Sequence, residues 1–335
     1  MPTVVASAPG KVTLFGEHAV VYGYPAIVAA ISKRLHTKVT PRRDHVIQVV
    51  AKDIKVPGIV LTYFSEEEVV VETDYKTSMS ALSYVRTAVD VVREYLGINR
   101  GAEIEITSEM PVGAGLGTSA AVSVTTIAGY AAAHGYALKK EEIRDLAWEV
   151  EKRVQGRASP MDTTIATFGG VLKIVPSESE PRIEALEAPE DLPFVIGYVE
   201  REAGTKEMVA KVARLRERFP DVVEGVMRLI GQVTEEAEKA LKNKDLVTLG
   251  TLMNINNGLL DALGVSNKRL SELVYAARWA GALGSKLTGA GGGGAVIALS
   301  PGREEQVEVA MKLHGALTLK ADVGVVGLVV RKVKE

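Results

Sequence analysis

The hydrophobic pattern changes period several times along the chain. Ala102, Ile104 and Ile106 alternate with Glu103, Glu105 and Thr107, a period of two that predicts a strand with one face in water. Short apolar or β-branched runs predict further strands at 12–15, 37–40, 46–51, 59–63, 170–175, 194–199, 295–299 and 325–331. Between them the period lengthens. Residues 80–96 read as a helix stopped by Gly97, and 119–134 as a small-residue helix ending at Gly135. Residues 141–154 carry Ile143, Leu146, Ala147, Val150 and Val154 on one helical stripe, with Gly156 as the stop. Several helices are expected between 205 and 280. The stretch 176–193, rich in Pro, Glu and Ser and without sustained period, reads as a boundary between a first unit, 1–180, and a second, 181–335.

Two units also follow from size, since 335 residues exceed what one hydrophobic core usually covers. A chain with 47% hydrophobic and 24% charged residues is of the ordinary globular kind. The net charge of −2 offers no electrostatic footing for nucleic acid or an anionic membrane, so neither is expected as a partner. No cysteine is present, which removes disulfides, thiolate metal sites and a cysteine nucleophile, and suits a cytoplasmic location. The first residues lack the basic and apolar regions of a signal peptide, and the apolar runs are too short to span a bilayer. The five histidines show no metal-ligand spacing.

The most informative segment is Pro111-Val112-Gly113-Ala114-Gly115-Leu116-Gly117-Thr118-Ser119-Ala120-Ala121, between an alternating strand and an alanine-rich helix. Glycines at alternate positions allow close backbone approach, and the free N–H groups of a helix start favour an anion, so the segment suits a polyphosphate. Thr118 and Ser119 add hydroxyls that could cap the helix or reach a phosphate-bound metal. It is neither G-x-x-x-x-G-K-[ST] nor G-x-G-x-x-G, and read alone it could equally be a turn capping a buried helix.

Two further segments change that balance. Ala8-Pro9-Gly10-Lys11-Val12-Thr13-Leu14-Phe15-Gly16-Glu17-His18-Ala19-Val20-Val21-Tyr22-Gly23 resembles the first motif of the GHMP kinases, the loop at 111–121 resembles their second, and Lys286-Leu287-Thr288-Gly289-Ala290-Gly291-Gly292-Gly293-Gly294-Ala295 resembles their third. The three occur in family order across nearly the whole chain. The segment Glu151-Lys152-Arg153-Val154-Gln155-Gly156-Arg157-Ala158-Ser159-Pro160-Met161-Asp162 is similar to the family stretch that supplies a metal-binding glutamate and a catalytic aspartate, although Ser-Pro-Met-Asp stands where many relatives have Ser-Gly-Val-Asp.

The resemblance implies a two-domain α+β fold: an N-terminal α+β domain with a left-handed βαβ element, joined to a ferredoxin-like C-terminal domain, with the site between them. It implies ATP as co-substrate, Mg²⁺ as cofactor and a homodimer. The loop 111–121 would bind ATP, Ser119 and Glu151 would hold magnesium, Asp162 would take the proton of an alcohol, and Lys11 would sit beside both. The Gly-Glu-His-Ala-Val-Val-Tyr-Gly wording is similar to members acting on the primary hydroxyl of mevalonate, where galactokinases carry an Asp-Tyr pair. Glu17, His18 and Thr205 then become substrate-side candidates together with Lys11 and Asp162. Read singly, these residues have plainer roles: Asp162 and Thr205 as helix caps, Glu151 as a solvated helix residue, His18 as a turn histidine, and 289–294 as a linker. A kinase for phosphomevalonate or homoserine, or a nucleotide-binding sensor on the same fold, remains an alternative.

Overall fold

The computed structural model describes residues 2–51, 59–63, 69–72, 76–111, 114–156, 158–177, 181–189 and 192–333. Its first half is built on two long strands. β1 (Val4–Phe15) and β2 (Ala26–Pro41) pair antiparallel and are joined through the corner that holds Glu17 and His18 and a short 3₁₀ turn, Ala19–Tyr22. Both run longer than the apolar segments inside them suggest. The register of β1 on β2 shifts between Pro9 and Gly10, where proline cannot donate to the ladder. A Cβ at Gly10 would also lie 2.1 Å from Met110 Sδ, so this crossing requires glycine.

β3 (Ile47–Ala51), β4 (Ile59–Tyr63) and β5 (Val69–Glu72) follow, then helix α1 (Lys76–Leu96) and β6 (Ala102–Ser108). β6 pairs antiparallel with β2 and parallel with β3. Its alternating pattern buries Ala102, Ile104 and Ile106. Three helices pack together, two of them against β1 and β2: α2 (Thr118–Ala133) and α4 (Met161–Phe168) meet the strands, and α3 (Lys140–Gln155) packs on both helices. α2 is buried around almost its whole circumference, which its Ala, Ser, Thr and Val composition permits.

β7 (Val171–Val175) pairs with β2 and with β8 (Arg182–Leu186), so the Pro-rich stretch expected as a boundary contains a strand of the first sheet. The second sheet begins with β9 (Phe194–Val199). Helices α5 (Thr205–Arg218), α6 (Pro220–Lys242), α7 (Leu246–Ala262) and α8 (Lys268–Trp279) lead to β10 (Gly284–Thr288) and β11 (Gly294–Leu299). Helix α9 (Glu304–Leu313) and β12 (Leu317–Ala321) complete it, and β13 (Val329–Lys332) returns to pair with β1. Arg34 holds this return by donating to the carbonyls of Ser7, Val326 and Gly327.

The path through the first, nine-stranded sheet is β13-β1-β2-β6-β3-β4-β5, with β7 and β8 branching from β2. The second sheet is antiparallel in the order β10-β11-β9-β12, the βαββαβ arrangement of ferredoxin-like folds. Its strands alternate between two cores. Phe194, Ile196, Ile297 and Leu299 join the core shared with β1, β2 and α2, while Val195, Val199, Val296 and Ala298 face the core of α5, α8 and α9. The fold is therefore α+β with two packed units, and a cleft opens between them.

Candidate active site

The cleft, of about 460 Å³, is lined by the β1 corner, the start of α2, the α3–α4 junction, the residues after β9 and the loop after β10. That size suits a small ligand. Two residues far apart in sequence meet at its floor. Lys11, on β1, is mostly buried, and its Nζ lies 3.1 Å from Asp162 Oδ1, close enough for charge attraction though outside hydrogen-bond geometry. The backbone supports this pairing: Lys11 N–H donates to Leu116 O at 2.8 Å, tying the first motif to the glycine loop. Gly117 turns the loop into α2 at φ 75°, and a Cβ there would stand 2.7 Å from Lys11 Cγ. Glycine at 117 thus makes room for the lysine stem.

Asp162 lies within the first turn of α4, whose N-cap is Pro160, so the cap role considered for it does not apply. The α3–α4 junction carries the other acid. Glu151 is only 3% exposed, and its Oε1 accepts from Ser119 Oγ at 3.3 Å. Burial, then repulsion from Asp162, pushes the Glu151 carboxyl up to about 8, against the opposing effects of Ser119 and Lys11. Tyr84 completes this wall, accepting from Gln155 Nε2 at 2.7 Å. Glu151 is therefore not the solvated helix residue its local sequence suggests.

Of the glycine loop, Gly115, Gly117, Thr118 and Ser119 line the cleft. Ala114, Leu116, Ala120 and Ala121 are packed into the core, and Pro111 is half-buried. Val112 and Gly113 lie outside the described residues. Thr118 Oγ1 is buried without a hydrogen-bond partner in the structure, beside the donors of a helix start. Ser119, Thr118 and Glu151 form a set of hard oxygen donors around a buried carboxyl, and that chemistry fits magnesium, which takes oxygen ligands and fills its remaining positions with phosphate oxygens and waters. Among the described residues no three His, Asp or Glu gather as a self-sufficient metal cage.

The opposite wall is the β1 corner. His18 has φ 62°, uncommon for a side-chain-bearing residue, and its Nε2 lies 3.0 Å from Ala290 O. Burial lowers its pKa, against the Ala290 contact and Glu17. Burial thus favours the neutral imidazole. Glu17 borders the cleft, yet both its carboxylate oxygens are engaged by protein: one by Lys286 Nζ, the other by Asn256 Nδ2 at 3.1 Å. Thr205 is the first residue of α5 rather than its cap; Gly204 is the N-cap, and Thr205 Oγ1 accepts from Arg201 Nη1 at 3.2 Å.

Arg201 escaped the sequence reading. It reaches into the cleft between Gly115 and the loop 289–294, with Nε buried and unpartnered, and burial lowers its pKa without any carboxylate to oppose this. The residue as a whole is half-buried, and a partly desolvated cation with no carboxylate beside it is matched to an anionic ligand. The loop 289–294 is a structured turn between β10 and β11, not a tether. Gly291 to Gly294 all have positive φ, and a Cβ at Gly291 would stand 2.1 Å from Val265 O.

Known proteins resemble this chain in both sequence and fold. Family models for the GHMP kinases N terminal domain and the GHMP kinases C terminal domain match residues 83–170 and 237–317, and a galactokinase galactose-binding signature matches residues 1–41. The mevalonate kinase of Thermococcus gammatolerans is 46% identical, covering 98% of this chain and 99% of its own. That of Pyrococcus abyssi is 44% identical, covering 99% of both. Among solved structures, Methanococcus jannaschii mevalonate kinase superposes with a TM-score of 0.80 at 28% identity over 95% of this chain and 97% of that one. L. major mevalonate kinase in complex with R-mevalonate gives 0.79 at 25% identity over 95% and 94%. With identity at this level over nearly their full length, the chain belongs to the mevalonate kinases of the GHMP kinase family.

Proposed function

We infer that this cleft transfers the γ-phosphoryl group of ATP to the primary hydroxyl of mevalonate, giving mevalonate 5-phosphate and ADP for isoprenoid synthesis. The observation that carries the reading is the Lys11–Asp162 pair beside the start of α2, which joins an anion-binding helix end to a proton acceptor. The backbone of the loop 111–121 and the α2 terminus receive the phosphates. Asp162 accepts the hydroxyl proton as the alcohol oxygen bonds to phosphorus and the bond to the ADP oxygen breaks. Lys11 holds the Asp162 carboxylate in place and favours the oxyanion character developing on the alcohol.

Ser119 and Glu151 would hold magnesium. When bound, it supplies charge neutralisation on the phosphates and restores the charge of the buried Glu151 carboxyl. On the acceptor side, His18 offers a neutral ring to a hydroxyl and Thr205 a hydroxyl. Mevalonate also carries a carboxylate, and its cation is Arg201. Lys11 faces Asp162, and burial favours the neutral form of His18, which leaves the guanidinium as the cation lining the cleft with no carboxylate beside it.

Residues 1–180 form the nucleotide-binding unit in this reading and 181–335 the second, with β8 and β13 lent back to the first sheet. The enzyme works in the cytoplasm as a homodimer. The lack of cysteine supports the location, and no described helix is long and apolar enough to cross a membrane. Light scattering of the purified chain tests the dimer.

The deciding experiment is coupled ADP release with mevalonate, phosphomevalonate, homoserine and galactose. Turnover is expected with mevalonate. Release independent of any acceptor would sink the kinase reading, and turnover of another alcohol alone would reassign the substrate.

A further inference from the structure

The third glycine-rich segment is stitched to the first. Thr13 N–H donates to Thr288 Oγ1 at 2.8 Å, and Thr288 Oγ1 donates back to Thr13 O at 3.0 Å. Ala290 O meets His18. Beside the first of these contacts stands Lys286, which is 0% exposed, with Nζ donating to Glu17, at 2.6 Å to Leu287 O and at 3.5 Å to Thr13 O. A lysine is rarely interred this completely, and doing so costs free energy that only a well-made pair offsets.

Behind the pair lies a second support. β10 is an edge strand, with β11 on one side only. Its other edge is covered by asparagines of α7, not by a strand. Asn254 Oδ1 accepts from Ser285 N–H at 3.0 Å, and Asn257 Oδ1 accepts from Leu287 N–H at 3.1 Å. These amides satisfy backbone donors an edge would leave open. Asn256, between them, turns to Glu17 instead.

We propose that Lys286 is a positioning residue for the acceptor. Through Glu17 it fixes the corner that carries His18, so Glu17 shapes the acceptor wall by holding His18 and does not itself grip the substrate. The proposal rests on the mevalonate-phosphorylating reading of the cleft. Its distinguishing mark is coupling: removing either partner strands the other in a buried place, whereas removing both charges leaves a neutral interior.

The test compares full-length wild type, Glu17→Gln, Lys286→Met and the double variant in ADP release with mevalonate. Lys286→Met is expected to raise KM for mevalonate about tenfold or more, with a smaller change in KM for ATP, and the double variant to return to within about threefold of wild type. A double variant impaired by at least the product of the two single effects means that Glu17 contacts the acceptor directly, and overturns the proposal. Should Lys286→Met fail to fold by circular dichroism, Asn256→Ala carries the test, since it withdraws a donor from Glu17 without stranding a charge. Its KM for mevalonate should rise severalfold with KM for ATP held; no change in KM for mevalonate overturns the proposal. If wild type turns over a different alcohol, the substrate reading fails instead, and the same variants are scored on KM for that alcohol.

Discussion

Lys11 Nζ and Asp162 Oδ1, contributed by a central strand and by the first turn of a short helix, stand 3.1 Å apart at the floor of the cleft. The lysine steadies the side chain that is placed to receive the hydroxyl proton. Asp162→Asn preserves shape and removes that capacity. Turnover is expected to fall by about 10³-fold or more, with nucleotide affinity within about threefold of wild type. Steady-state ADP release together with calorimetric titration of an ATP analogue measures both. Near-normal turnover would contradict the role.

Ser119 and Glu151 face each other at 3.3 Å across the start of α2. If they hold magnesium, Ser119→Ala and Glu151→Gln each withdraw one oxygen donor or its charge. The Mg²⁺ concentration for half-maximal rate should then rise by about tenfold or more in Glu151→Gln and by less in Ser119→Ala, since a charged donor contributes more than a neutral one. Rate against Mg²⁺ at fixed ATP is the measurement. Two variants with wild-type curves would remove both residues from the metal site.

How far the sequence foretells this site depends on what kind of signal each residue leaves. Lys11, Ser119, Glu151 and Asp162 sit in ordered motifs, and the structure brings all four to one cleft. Arg201 leaves no such trace. Flanked by Glu200 and Glu202, it reads as part of a charged surface, and only the tertiary approach of Gly115 and the loop 289–294 buries it. Likewise nothing local announces the strand edge that Asn254 and Asn257 cover, or the Glu17 carboxylate that Asn256 reaches. Among the elements, α9 and β12 carry little periodic signal, with Leu313 and Leu317 largely exposed and the inward positions few. β8 is half-exposed within a Pro-rich stretch and owes its conformation to pairing with β7.

Arg201 gives a separate test of the acceptor site. Arg201→Gln keeps much of the volume and a donor for Thr205 while removing the charge. KM for mevalonate should rise by about tenfold or more, as expected on losing a charge-assisted contact to a carboxylate, with KM for ATP little changed. A rise confined to KM for ATP would move Arg201 to the phosphates, and no change in either would remove it from the site.

His134, at the far end of α2, concerns stability. It is 4% exposed, packs edge-on against Tyr130 at 4.5 Å between ring centroids, and neither ring nitrogen has a hydrogen-bond partner in the structure. Burial first, then Arg100 and Arg93, lowers its pKa to about 4. The folded value lies below the ordinary 6.5, so under acidic conditions the unfolded chain binds the proton more readily. The stability contributed by the neutral ring is therefore complete above pH 6.5 and is lost as pH falls from there towards 4. The loss is at most about 1.4 kcal/mol per pH unit, and less to the extent that solvent screens the two arginines. Urea midpoints of wild type and His134→Leu, followed from pH 7.5 to 4.5, measure it. Wild type should lose stability faster than the variant below pH 6.5, the gap widening with acidity; parallel curves would show that His134 takes up its proton without cost in the folded chain.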